Sequence, residues 1–87
     1  MKYHVYMLIS LSRKPVTYVG YTNNLKRRIA LHNMSRGAKF TRGRKWKLIY
    51  KEKHSSKKEA ISRVYYIKNN RTFTNKIKNE NLNTAAL

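Results

Sequence analysis

The architecture of this chain follows from two adjacent segments, Tyr3-His4-Val5-Tyr6-Met7-Leu8-Ile9 and Val16-Thr17-Tyr18-Val19-Gly20. Both are rich in aromatic and β-branched residues, which favour strands, and the break at Leu11–Pro15 predicts a hairpin with a loop of about five residues. Apolar residues occupy both faces of the first segment, which indicates a central strand covered on both sides. Gly20 is expected to let the backbone turn where the second strand ends.

A helix and a basic loop are predicted after this hairpin. One residue of the pair Asn23-Asn24 can cap the helix, which runs to about Met34. Arg28 and His32 stand four positions apart and therefore share one face of that helix. The segment Ser35–Lys45 holds two glycines and five basic residues, a composition typical of a loop with a strong positive charge.

The second half of the chain predicts one more strand and two helices. Trp46–Tyr50 has the composition of a strand, and Ser56-Lys57-Lys58-Glu59 fits a capping box that opens a helix ending near Asn69. A short last helix is predicted over Thr72–Asn81, and residues 79–87 are expected to form a frayed tail. The order β–β–α–β–α–α predicts a small α+β domain with a three-stranded sheet.

The charge of the chain points to a polyanionic partner. Among 87 residues, 21 are Lys or Arg and 3 are Asp or Glu, which gives a net charge of +18. We expect nucleic acid, because phosphate contacts to basic side chains release counterions and drive binding. An anionic membrane surface and a biased genome composition are the alternatives. No apolar run approaches the roughly 20 residues of a membrane span, so a cytoplasmic protein without a membrane segment is expected.

Several kinds of active site are excluded by the residues present. The chain has no cysteine, and its histidines, His4, His32 and His54, lie far apart in the sequence, which argues against a structural zinc site. No serine stands in a nucleophile elbow, and the glycines form no nucleotide-binding motif.

The remaining candidates suit chemistry on a phosphodiester. Tyr6 and Tyr18 lie on the two strands of the hairpin and could point to one side of the sheet, while Arg28 and His32 come from the next helix. Phosphodiester hydrolysis needs a proton acceptor, a cation beside the phosphate and usually a metal held by a carboxylate. Taken alone, strand tyrosines are more often half-buried packing residues, so this pattern leaves both interpretations open.

A series of short motifs then appears in a fixed order. Val5-Tyr6-Met7 is followed by Tyr18-Val19-Gly20, and Arg28 stands ten residues after Tyr18. Further segments continue the series: Tyr21-Thr22-Asn23-Asn24-Leu25, His32-Asn33, Gly37-Ala38-Lys39-Phe40-Thr41-Arg42-Gly43-Arg44 and Glu59-Ala60. Over residues 3–78 the series resembles the GIY-YIG endonuclease superfamily, and in particular its small stand-alone UPF0213 proteins.

This resemblance implies a fold, an activity and a set of residues. The fold is a three-stranded antiparallel sheet flanked by helices, and the activity is hydrolysis of DNA phosphodiester bonds with Mg²⁺ or Mn²⁺. By position, Tyr6 and Tyr18 match the signature tyrosines, Arg28 matches the arginine that holds the phosphate, and His32 matches a supporting histidine. Residues expected to contact nucleic acid are Tyr21, Lys26, Arg27, Arg36, Lys39, Arg42, Arg44 and Lys45.

One departure from the family pattern concerns the metal. The family usually places a glutamate ligand five residues after the position of Glu59, where this chain has Val64. Five residues turn a helix by about 500°, so Glu59 faces away from that position, and neither Glu52 nor Glu80 is placed by a motif. Two hypotheses follow: a nuclease that uses a displaced carboxylate or a substrate-recruited metal, and a catalytically impaired nucleic-acid-binding protein.

A third hypothesis is a basic protein associated with RNA, because single-stranded ligands also reward basic grooves with tyrosine stacking. The sequence leaves open whether the ligand is DNA or RNA, whether it is single- or double-stranded, and how many copies of the chain associate.

Overall fold

A computed structural model of the chain describes residues 2–86, with side chains described through residue 81. Within that range the elements are β1 (Tyr3–Ser10), β2 (Thr17–Thr22), α1 (Leu25–Asn33), β3 (Trp46–His54), α2 (Lys57–Lys68) and α3 (Arg71–Ala86). A single 3-10 turn at Lys39–Thr41 stands between α1 and β3. The predicted α+β architecture, with the order β–β–α–β–α–α, is confirmed.

The sheet is antiparallel and has the order β2-β1-β3, so β1 is the central strand, as predicted. Tyr6 of β1 lies opposite Gly20 of β2 on one side and Lys51 of β3 on the other. The register between β1 and β3 shifts after Met7, and Ile49 is the extra residue on β3. β2 lies at one edge of the sheet, where side chains from the helices on both faces can approach each other.

The two faces of β1 carry different cores, because successive side chains of a strand point to opposite faces. The core between the sheet and helices α2 and α3 contains Val5, Met7 and Val19 from the strands and Ala60, Val64 and Ile67 from α2. The face beneath α1 holds Tyr6, Leu8 and Trp46, with Leu25 and Ile29 packed against them. Tyr6 and Tyr18 therefore lie on the α1 face.

Side-chain caps fix where α1 and α2 begin. The Asn24 side chain accepts a hydrogen bond from the Arg27 backbone amide at 3.1 Å, so Asn24, rather than Asn23, caps α1. The Ser56 hydroxyl accepts one from the Glu59 amide at 3.2 Å, as the capping box predicts. The Glu59 carboxylate instead accepts from the Ser55 hydroxyl at 3.2 Å. These caps satisfy backbone donors that the helices leave unpaired.

Three boundaries differ from the predictions. Gly20 lies inside β2, which continues to Thr22, so the turn expected at Gly20 is wrong. β3 extends past Tyr50 to His54, because the residues beyond Tyr50 continue to pair with β1. The backbone of α3 stays helical to Ala86, where a frayed tail was predicted, and Leu87 lies outside the described residues. Over residues 2–86 no helix is long and apolar enough to cross a membrane.

Candidate functional site

A cleft of about 430 Å³ opens along the edge strand β2. Its walls come from both layers of the domain: Tyr18, Tyr21 and Gly20 on β2, Arg28 on α1, and Lys57, Val64 and Lys68 on α2. Three cations thus face one cleft, and no carboxylate is among its lining residues within the described part of the chain. Such a cleft attracts an anion with several oxygen acceptors, and a phosphodiester is one.

A buried hydrogen-bonded chain lies below the cleft and ends at Tyr6. The Tyr6 hydroxyl lies 2.8 Å from His32 Nε2, and His32 Nδ1 lies 2.8 Å from Thr41 Oγ1. Thr41 Oγ1 donates its own proton to the Ala38 carbonyl at 2.9 Å. His32 and Thr41 are fully buried, and Tyr6 is almost fully so. The chain joins β1, α1 and the 3-10 turn before β3.

The direction of each hydrogen bond follows from Thr41. Since the Thr41 hydroxyl proton points to the Ala38 carbonyl, the Thr41 oxygen accepts from His32 Nδ1–H. A neutral imidazole carries one proton, so His32 Nε2 is an acceptor and the Tyr6 hydroxyl donates to it. The Tyr6 oxygen keeps its lone pairs for other donors. Thr41 therefore sets the tautomer of His32.

Burial and the nearby guanidinium set the protonation states of this pair. Burial lowers the pKa of His32 to about 4, and the positive charge of Arg28 acts in the same direction. Burial raises the pKa of Tyr6 to about 12, while hydrogen bonding from Arg28 opposes the rise. At neutral pH the imidazole is therefore neutral and the phenol keeps its proton. Both shifts stabilise the neutral pair, with Tyr6 as the hydrogen-bond donor and His32 Nε2 as the acceptor.

Tyr18 lies between the buried chain and the cleft. Its ring centroid is 5.0 Å from that of His32 and 6.3 Å from that of Tyr6. The Lys68 ammonium lies over the Tyr18 ring, 5.9 Å from its centroid. The structure thus brings Tyr6, Tyr18, Arg28 and His32 together, with Tyr18 and Arg28 in the cleft wall and the other two beneath it.

Gly20 and Gly37 have to be glycine because a side chain would not fit there, and not because of their backbone conformation. A Cβ atom at Gly20 would lie 2.7 Å from the Tyr6 hydroxyl, and one at Gly37 would lie 2.2 Å from His32 Nδ1. Any side chain at either position would displace the buried pair. The sequence alone predicts no role for Thr41 or Gly37, because a lone polar residue or glycine in a basic loop carries no periodic signal.

The other predicted nucleic-acid contacts lie on the protein surface, and among them only Tyr21 lines the cleft. Lys26 and Arg27 are exposed on α1, and Tyr21 is half-buried in the cleft wall. The five loop cations, which do not line the cleft, are all exposed: Arg36, Lys39, Arg42, Arg44 and Lys45. Arg44 lies over the Phe40 ring at 5.6 Å, and Lys45 Nζ donates to the Asn33 carbonyl at 3.0 Å.

The cleft does not fit Mg²⁺ or Mn²⁺, which require oxygen ligands and commonly use carboxylates. Val64, at the expected ligand position, is 8% exposed and packs in the apolar cluster beneath α2. Among the described residues no group of three His, Cys, Asp or Glu side chains could hold a metal ion.

Glu52, the most enclosed carboxylate among the described glutamates, is already engaged away from the cleft. It accepts hydrogen bonds from the Tyr50 hydroxyl, from His54 Nε2 at 2.8 Å and from Arg63 Nε at 2.6 Å. Burial alone would raise its pKa, but these hydrogen bonds outweigh burial and the pKa of Glu52 is lowered. Its charge is therefore compensated within its own cluster.

Fold and cleft together define a small α+β domain that presents tyrosine, arginine and lysine side chains to an anion at the edge of its sheet. The family model of the GIY-YIG catalytic domain matches residues 2–78, and the chain belongs to the GIY-YIG family. The resemblance predicted from the sequence is confirmed.

UPF0213 proteins are among the relatives of this chain. One from Clostridium perfringens is 50% identical over 64 residues, which cover 72% of this chain and 69% of that protein. One from Limosilactobacillus reuteri is 44% identical over 70 residues, which cover 77% and 71%. A solution NMR structure of a UPF0213 protein from Bacillus halodurans matches with a TM-score of 0.50 and 33% identity, covering 91% of this chain and 84% of that one.

The variant Thr41→Val is expected to destabilise the protein by about 1–3 kcal/mol, because the buried Nδ1–H of His32 loses its acceptor. Urea unfolding measures the loss, and ¹⁵N NMR of the imidazole reports the tautomer. Thr41→Ser, which keeps the hydroxyl, is the matched control and should preserve both. A Thr41→Val variant with unchanged stability and an unchanged His32 tautomer would contradict this assignment.

The low pKa of His32 makes the stability depend on pH. The unfolded chain binds this proton near the ordinary value of 6.5, whereas the folded chain binds it only at about 4. The contribution of His32 to the free energy of unfolding is therefore fully present above pH 6.5. It falls by about 3 kcal/mol as the pH drops toward 4. Urea unfolding at pH 7 and pH 4.5 measures the difference.

The variant His32→Gln is expected to flatten this pH dependence, and His4→Gln is the comparison. Burial together with Lys53 and Lys51 also lowers the pKa of His4, so His4 contributes in the same direction. Most of the slope should survive in His4→Gln. An equal slope in His32→Gln and in the unmodified chain would show that His32 is not the group responsible.

Proposed function

We propose that the cleft binds the backbone of nucleic acid and that the protein is a GIY-YIG-fold nucleic-acid-binding protein whose metal-dependent cleavage is impaired. The observation that carries this proposal is the composition of the cleft wall. Arg28, Lys57 and Lys68 supply positive charge, and Val64 stands where the family usually has its metal-ligand glutamate. Binding requires the positive charge of these side chains. Efficient hydrolysis also requires a metal ligand, which the Val64 side chain cannot supply.

Electrostatics supports binding well beyond the cleft. The net charge is +18 because only three carboxylate side chains oppose the Lys and Arg residues, and the cations of α1 next to Arg28, Lys26 and Arg27, are exposed. A nucleic acid whose phosphate lies between Arg28 and Lys68 can contact further exposed cations along its backbone. Each such contact releases counterions, so affinity gains from many weak contacts as well as from the cleft.

Hydrolysis of DNA phosphodiester bonds with Mg²⁺ or Mn²⁺ is the second candidate. It is favoured by the convergence of Tyr6, Tyr18 and Arg28 at the cleft, where the hydrogen bond to His32 orients the Tyr6 hydroxyl. For this candidate the metal ligand would have to come from a displaced carboxylate or from the bound substrate. Cleavage by the unmodified chain is therefore expected to be slow.

Binding to a labelled oligonucleotide, followed by fluorescence anisotropy, should weaken steeply as salt rises from about 50 to 200 mM. Lys68→Gln should lower affinity by about fivefold or more, because it removes a cation from the cleft. Lys14→Gln is the matched control, since Lys14 is an exposed lysine in the β1–β2 loop outside the cleft. Affinity that does not change with salt would refute the proposal.

Introducing the missing ligand should increase cleavage. Val64→Glu is expected to raise the rate of Mg²⁺- or Mn²⁺-dependent DNA nicking by about tenfold or more, since a carboxylate then stands in the cleft wall. Val64→Gln is the control of similar size without the charge. Gel assays of plasmid nicking measure the rate, and adding Tyr18→Phe or Arg28→Ala should remove the gain.

A buried carboxylate costs stability, so circular dichroism first establishes that Val64→Glu is folded. A folded Val64→Glu variant without any gain would mean that position 64 does not face the metal position. Fast cleavage by the unmodified chain that survives substitution of Glu52 and Glu80 would overturn the impaired-enzyme proposal in favour of the second candidate.

A further inference from the structure

A second hollow, of about 300 Å³, adjoins the cleft on the α2 side. Its walls are Tyr21, Ile61, Val64, Tyr65 and Lys68, and we call it the aromatic hollow. Tyr21, Val64 and Lys68 also line the cleft, so the two spaces lie side by side and share three walls; we call them together the groove. One end of this groove is cationic, and the other has mostly apolar and aromatic walls.

Tyr65 is the exposed wall of the aromatic hollow. Its side chain is 66% exposed, whereas the other exposed aromatic rings are already covered on one face. Phe40 stacks on Tyr18, and Tyr66, which is 54% exposed, lies beneath the Arg63 guanidinium at 4.9 Å. Among the side chains described, the Tyr65 ring pairs with no other ring and no cation. Its ring is therefore accessible and without a stacking partner, and it lines the aromatic hollow.

We propose that the aromatic hollow takes an unpaired nucleobase of the strand whose phosphate lies in the cleft. The preferred ligand is then single-stranded nucleic acid. This inference rests on the proposed function and adds the substrate class. A planar base suits walls made of tyrosine rings and aliphatic side chains, and base–aromatic stacking tolerates any sequence.

Geometry and charge favour this occupant over a duplex or an apolar peptide. In a duplex each base is paired and stacked, so it cannot enter a side hollow without being flipped out at a cost in free energy. Lys68, in the wall that the two spaces share, can contact the phosphate next to the bound base. A groove that begins between Arg28, Lys57 and Lys68 selects a polyanion, which an apolar peptide is not.

Fluorescence anisotropy with three ligands of equal length tests the inference: a single strand, the matching duplex and a single strand with abasic sites. Tyr65→Ala should lower single-strand affinity by about 5- to 100-fold, the range of one stacked base, and should change duplex affinity by less than about twofold. Tyr65→Phe should bind like the unmodified chain. Tyr66→Ala is the matched control, an exposed tyrosine one position further along α2, and should leave single-strand affinity unchanged.

The abasic strand separates stacking from charge. The unmodified chain should bind it more weakly than the intact strand, and Tyr65→Ala should bind both equally. If Tyr65→Ala binds the single strand normally, or loses single-strand and duplex affinity equally, the inference is wrong. A parallel loss of affinity in Lys68→Gln would then leave the proposed function intact. If the unmodified chain binds none of the three ligands, the proposed function and this inference fail together.

Discussion

A neutral imidazole buried between a phenol and a threonine hydroxyl is the constraint on which the rest of the site depends. His32 has no exposed surface, and both of its ring nitrogens are hydrogen-bonded, to Tyr6 and to Thr41. A charged or unsatisfied imidazole at this place would cost several kcal/mol, so the native state requires the whole chain of bonds to form at once. Gly20 and Gly37 leave the space in which it forms. The same network thus fixes the position of the basic loop Ser35–Lys45 and the direction of the Tyr6 hydroxyl.

The charge of the cleft has two further consequences. β2 is an edge strand, and unpaired edges invite association with other strands, which natural proteins oppose with lysine and other charges. Lys57, Lys68 and Arg28 flank that edge and provide this protection while they form an anion site. The same charges repel a divalent cation, and Val64 offers no compensating oxygen. Under the proposed function, residue 64 is the position that separates binding of a phosphodiester from its metal-dependent hydrolysis.

Much of the fold could be predicted because its signals are local. The apolar pattern of Tyr3–Ile9 predicts a covered central strand, and Ser56 marks the start of α2. Tyr18 and Arg28 could be expected to meet because their elements follow each other in the chain. Lys57 and Lys68 could not, since they reach the cleft only once the sheet order places α2 beside β2. They stand 11 residues apart, about three helical turns, and so share one side of α2. Gly20 suggests a turn by its residue type, but it is glycine because the Tyr6 hydroxyl leaves no room for a Cβ atom, a contact that no local pattern reveals.

The rotational setting of α2 about its own axis decides which of its side chains face the core, the cleft and the aromatic hollow. Ala60, Val64 and Ile67 are buried against the sheet and fix that rotation. Once it is fixed, Lys68 faces the shared wall and Tyr65, the neighbour of Val64, borders the hollow. Val64 belongs to the core and to both spaces at once, so a carboxylate there would have to be desolvated beside apolar neighbours. Valine avoids that cost and gives both spaces an apolar wall, which is the property on which the proposed binding of a base depends.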